Sequence, residues 1–149
     1  MTDMPGLVLP AYFSYYKSPV KMAETPGGGI RAWRLSHDSG GWEPADDLVE
    51  EILGAVGGEI SSLTVDSFIQ WTEHDRGRYL RGDGPVFALY ETISAIVEGA
   101  QAEGRRMTTT ELALVRGIRR KTFVMFEEEL QRAGDPAADP SLADGSGAV

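Results

Sequence analysis

The 149-residue chain has no cysteine, no asparagine, only two histidines, and three lysines (Lys17, Lys21 and Lys121) against eleven arginines. Without cysteine there are no disulfides, thiolate metal sites or thiol nucleophiles, so stability must come from packing and hydrogen bonds. The shortage of asparagine and lysine, both read from A-rich codons, is what a GC-rich genome produces. No apolar run approaches the ~20 residues that cross a bilayer, and Met1 to Val8 lacks the basic flank and apolar stretch of a secretory signal. A cytoplasmic protein without a membrane partner is expected. No serine sits in a Gly-x-Ser-x-Gly elbow, and Pro26-Gly27-Gly28-Gly29 lacks the Gly-Lys-Ser/Thr ending of a phosphate loop, so hydrolase and nucleotide chemistry have no motif behind them.

The charge that is present is mostly acidic, −9 in total, and unevenly spread. Residues 1–75 carry twelve acids and four bases, residues 76–133 eight acids and ten bases, and residues 134–149 three acids and no base. An acidic first half keeps the chain soluble, offers a surface to a basic partner, and disfavours non-specific binding of nucleic acid.

Val8 to Tyr16 is dense in aromatic and branched residues, and Val20–Thr25 and Ile30–Leu35 flank the Pro26–Gly29 turn. This predicts a hairpin with a third strand before it. After His37-Asp38-Ser39-Gly40-Gly41 the spacing turns helical. Leu48, Val49, Ile52, Leu53 and Val56 share a stripe, Pro44 and the acids Asp46 and Asp47 suit a first turn, and Gly57-Gly58 is a stop, so a helix is expected over 44–56. A second helix should begin near Thr64 and end before Gly82-Asp83-Gly84, with Gly77 as a weak point. A third starts at Pro85 with Val86, Leu89, Tyr90, Ile93, Ile96, Val97 and Ala100 on one stripe. Thr108-Thr109-Thr110-Glu111 fits a capping box, with Met107 and Leu112 at the staple positions, and opens a helix running to about Arg132. From Gly134 onward there is little to bury, which predicts a disordered acidic tail over 134–149, dispensable for folding.

Among residues that could carry function, Glu73-His74-Asp75 joins histidine to carboxylates. Neighbours on a helix diverge by about 100°, so the three cannot converge on one metal ion. His37-Asp38 reads as a turn. The aromatics Tyr12, Phe13, Tyr15, Tyr16, Trp33 and Trp42 exceed what one sheet face needs; alternation places most in the core, and a surplus would form a Tyr/Trp-rich surface. Arg119 falls inside the apolar arc of the last helix and must snorkel or find a carboxylate. Arg116, Arg120 and Lys121, with Arg105 and Arg106 upstream, could form a basic ridge.

The resulting expectation is an α+β fold, a small antiparallel hairpin or three-stranded sheet near the N-terminus packed on about four helices, as one domain over 1–133. The function it favours is non-catalytic binding of another protein, as an inhibitor, immunity-type protein, adaptor or small subunit. Tyr12, Tyr15, Tyr16, Trp33 and Trp42 are the candidate contacts, and no cofactor or metal is implied. The rivals are a nucleic-acid-associated regulator using the Arg-rich last helix, and an enzyme without a readable motif.

Overall fold

The computed structural model describes residues 8–54 and 58–144. Contacts gather the chain into two compact units, Met1–Phe68 and Ile69–Val149. The first is built on an antiparallel sheet of β1 (Ala11–Tyr15), β2 (Ser18–Glu24), β3 (Ile30–Leu35), β4 (Trp42–Pro44) and β5 (Ile60–Leu63), in the order β4-β3-β2-β1-β5. The class is α+β, but the sheet has five strands rather than two or three and reaches beyond the N-terminal stretch. β5 is only Ile-Ser-Ser-Leu, too short and polar to stand out; it is a strand because Tyr12 and Tyr15 of β1 register with its Leu63 and Ile60.

The expected turn joins β2 to β3. Thr25 donates its amide to Gly29 O at 2.8 Å, Gly28 donates back to Thr25 O at 2.9 Å, and Gly28 takes the positive φ that glycine permits. β1 and β2 are joined by Tyr16 and Lys17 alone, both at positive φ (47° and 69°). Two left-handed residues match the twist of the flanking strands in a two-residue hairpin, a geometry usually given to Asn-Gly.

The helix expected over 44–56 is shorter at its start. Pro44 belongs to β4, Asp46–Leu48 is a 3-10 turn, and α1 runs Val49–Gly54; residues 55 and 56 and the stop at Gly57 lie outside the described residues. The difference comes from Asp46. Its Oδ1 accepts the Ala32 amide at 2.9 Å and its Oδ2 meets Arg31 Nε at 3.0 Å, so the residue ties the chain to β3 before the helix begins.

Alternation along the strands divides the side chains between two faces. On one, Phe13, Val20, Met22, Ala32 and Ile60 bury against Ala45, Leu48 and Ile52. On the other lie Tyr12 and Trp42, and Phe68 sits close to both, with ring centroids at 4.6 Å and 5.5 Å. Lys21 Nζ stands 4.4 Å above the Trp42 ring. Phe68 is fully buried, which contributes about 1.5–3 kcal/mol.

α2 (Val65–Tyr79) opens where Ser67 donates its amide to Thr64 Oγ1, and it runs through Gly77. The Tyr90 ring lies against Gly77, where an added Cβ would make ordinary contact at 3.5 Å, so the position does not demand glycine. Arg81 closes the helix by donating Nη1 to the carbonyls of Leu80 and Arg78. α3 (Pro85–Ala102) starts at the expected proline and buries Tyr90, Ile93 and Ala100. α4 (Thr109–Arg132) starts with the complete capping box: Glu111 N donates to Thr108 Oγ1 at 3.0 Å, and Thr108 N donates to Glu111 Oε1 at 2.8 Å. It ends at Gly134, φ 93°, where Asp135 N returns to Leu130 O and Gly134 N to Gln131 O, closing the carbonyls of the last turn.

The chain beyond Gly134 does not follow the expectation of a loose tail as far as Asp144. Ala137 and Ala138 are buried, Pro140–Asp144 forms a 3-10 turn against α4, and Arg120 Nη2 donates to Ala143 O at 3.0 Å. What holds it is polar: Asp139 N donates to Glu127 Oε1 at 2.8 Å, supplying a partner to a carboxylate with no exposed surface. An estimate based on apolar area alone misses that bond. Residues 145–149 lie outside the described residues.

Candidate functional site

The five aromatics proposed as contacts are divided by the sheet. Tyr12 and Trp42, each 6 % exposed, belong to the second-face cluster around Phe68 and offer no surface to a partner. Tyr15 is half-buried, and its hydroxyl donates to Glu51 Oε1 of α1 at 2.7 Å. That bond raises the Tyr15 pKa. Trp33 is half-buried with Arg31 5.4 Å from its ring. Tyr16, 52 % exposed in the β1–β2 turn, is the one of the five that presents itself to solvent. Packing around Phe68 thus takes Tyr12 and Trp42 off the surface.

Glu73-His74-Asp75 also separates. Glu73 turns inward, His74 remains half-exposed with Nδ1 3.2 Å from Asp75 Oδ1, and among the described residues no group of three or more His, Asp or Glu side chains is placed to hold a metal ion. Glu73 enters a buried ionic cluster. Its Oε2 accepts from Arg76 Nη1 at 2.8 Å and its Oε1 from the Tyr90 hydroxyl at 2.7 Å. Arg76 Nη2 donates to Glu127 Oε2 at 2.5 Å, and its guanidinium stacks 4.2 Å from the Phe126 ring. The side chains of all three charged residues are wholly buried. Burial alone would lower the Arg76 pKa, but Glu73 and Glu127 outweigh it and raise it; burial followed by Glu73 pushes the Tyr90 hydroxyl far up. Every charge here has a charged partner, as a buried ion must. The sequence signal was the i,i+3 pair Glu73/Arg76, a spacing that also describes many solvated pairs.

Beside this cluster, in the second unit, a cleft of about 520 Å³ opens between the start of α3 and the later turns of α4. Pro85, Val86 and Phe87 form one wall, and Met125 and Phe126 the other. Asp83, Glu128, Glu129 and Arg132 complete the lining, with Arg132 drawn onto Glu129 in an ion pair. Phe87 is set by Gly82. A Cβ at that position would come within 2.8 Å of the ring, so glycine lets the aromatic wall lie against the chain. Sequence reading missed the cleft because Val86 belongs to the apolar stripe of α3, which reads as core.

Two residues of the basic ridge, Arg105 and Arg120, are engaged within the chain. Arg105 bonds Glu111 through Nη1 at 2.8 Å and Glu103 through Nε at 2.9 Å, and Arg120 caps the turn at Ala143. Among the described residues no helix is long and apolar enough to cross a membrane. No protein-family profile, curated protein or solved structure matches the chain.

Proposed function

We propose that the chain is a non-catalytic protein-binding module, of the inhibitor, immunity-type, adaptor or small-subunit kind, and that the α3–α4 cleft receives an apolar-anchored, basic segment of its partner. The observation that carries this reading is the cleft itself. An apolar slot with a few polar groups at its margin is the usual form of a binding site, and grooves between helices take amphipathic segments by their apolar side chains. Three carboxylates against one arginine, itself engaged by Glu129, set the sign of the partner. The net charge of −9 adds long-range attraction in the same direction. This moves the contact surface from the hairpin aromatics to Phe87, Met125 and Phe126, with Tyr16 the hairpin residue still exposed.

Fluorescence anisotropy with a short Leu/Lys amphipathic peptide and its Leu/Glu counterpart tests the chemistry. The basic peptide should bind at least about tenfold more tightly, a difference of about 1.4 kcal/mol. Met125→Arg, which fills the slot and adds a like charge against a basic segment, should abolish binding, while Tyr16→Ser leaves it unchanged. Equal affinity for both peptides, or binding by Met125→Arg, overturns the assignment. Affinity capture from source-cell extract with the same three proteins then asks whether the natural partner follows the same order.

A further inference from the structure

A second, more polar cleft of about 360 Å³ lies in the same unit, lined by residues of α2, α3 and α4. α2 contributes His74 and Arg78, one turn apart, and Arg81 follows just past its end. α3 contributes Ser94, Glu98 and Gln101, and α4 contributes Arg119. Tyr90, Ile93 and Val97 give the cleft an aromatic and aliphatic side.

Arg119 is the residue that fits no structural role. Sequence spacing required it to snorkel or to find a carboxylate, and it has done neither completely. Its Nε is sealed from solvent and has no hydrogen-bond partner. The carboxylate whose charge acts on it is Glu73, but both Glu73 oxygens are already engaged, by Arg76 and by Tyr90. Burial lowers the Arg119 pKa, Glu73 raises it, and Arg116 lowers it further, so the folded chain carries this cation at a cost. A guanidinium nevertheless stays protonated at any neutral pH, with five N–H donors in a rigid fork. Of the two carboxylates in the cleft, Glu98 is the one outside the buried cluster, and the lining sets it against three arginines in count.

We propose that this cleft is a binding site for a small organic oxyanion, a phosphate monoester or carboxylate with an apolar or aromatic body, held by the Arg119 fork with Arg78 at the entrance. Planar paired donors match the oxygens of either anion, and a bound anion would neutralise a guanidinium that the fold leaves without a complete set of partners. Tyr90, Ile93 and Val97 take the body of the ligand. The volume suits a small molecule.

The test is calorimetric titration of the full chain in low-chloride buffer with phenyl phosphate, benzoate and inorganic phosphate. One saturable site is expected, with a Kd of about a millimolar or tighter for an aromatic anion. Inorganic phosphate should bind at least about tenfold more weakly than phenyl phosphate, because it cannot use the apolar side. The order of phenyl phosphate and benzoate identifies which oxyanion the fork prefers. Arg119→Met should weaken binding by at least about tenfold, the loss of a charged hydrogen bond. Arg78→Ala should weaken it about three- to tenfold, and Lys121→Ala, which removes the same charge from the exposed side of α4, should leave it unchanged. No saturation with any probe, an unaffected Arg119→Met, or equal weakening by Lys121→Ala overturns the proposal. If Arg119→Met does not fold, Arg78→Ala decides, and unchanged affinity there overturns it.

Discussion

Methionine in place of Arg76 keeps an unbranched apolar stem beside the Phe126 ring but withdraws the charge that Glu73 and Glu127 share. Two carboxylates would then be left with no cation inside a site from which water is excluded. Breaking a buried pair this way costs about 3–5 kcal/mol, far more than the intact cluster contributes relative to a well-packed apolar substitute. Denaturant unfolding of Arg76→Met should show a loss in that range. A loss below about 1 kcal/mol would mean that water reaches the cluster. Glu127→Gln should cost less, because its amide oxygen can still accept from either Arg76 or the Asp139 amide.

α4 begins where two short-range bonds coincide, and each can be removed alone. Thr108→Ala removes the acceptor for the Glu111 amide and should destabilise by about 0.5–2 kcal/mol, while Thr109→Ala, one residue inside the helix, should do little. Equal effects in urea unfolding would place the start elsewhere. The Glu111 carboxylate, bonded by Arg105 and by the Thr108 amide, is held down to about 2 from its ordinary 4.5. A depressed carboxylate pKa stabilises the fold at pH above the ordinary value, and the contribution is lost as pH falls toward 2. Glu111→Gln should therefore be less stable than the parent at neutral pH, with the gap closing between about pH 4.5 and 2; a gap independent of pH would exclude the ionic contribution. That start was legible in the sequence because everything it needs lies within residues 105–112, and so was the Pro26–Gly29 turn. β5 was not, since its partner Tyr12 lies some fifty residues earlier. The aromatic surplus misled for the same reason: whether Tyr12 and Trp42 face water depends on Phe68, which period-two alternation does not include. The α3–α4 cleft likewise depends on which helices meet, whereas the partial burial of Arg119 was legible from its place in the apolar arc of α4.

For the whole chain, the decisive length is that of the segment after α4. Ending it at Ala133 removes the Asp139 amide from Glu127 and the Ala143 carbonyl from Arg120, and uncovers the surface that buries Ala137 and Ala138. An unmet buried carboxylate acceptor costs about 1–3 kcal/mol, and at this chain length each kcal/mol shifts Tm by about 2–4 °C. The truncated protein should thus melt several degrees lower, whereas ending at Asp144 keeps both contacts; an unchanged melt on truncation at Ala133 would show that Glu127 finds water instead. The β1–β2 turn has a consequence for how the whole molecule would evolve. Tyr16 and Lys17 hold a backbone that costs a residue with a side chain about 1–2 kcal/mol, and that glycine adopts freely. In a randomised library selected only for thermal survival, these two codons should be among the first to change, drifting toward Asn-Gly. In the same library selected for partner capture, a Tyr16 codon that resists the drift would identify the hairpin tip as a contact, and one that yields would leave the partner to the α3–α4 cleft.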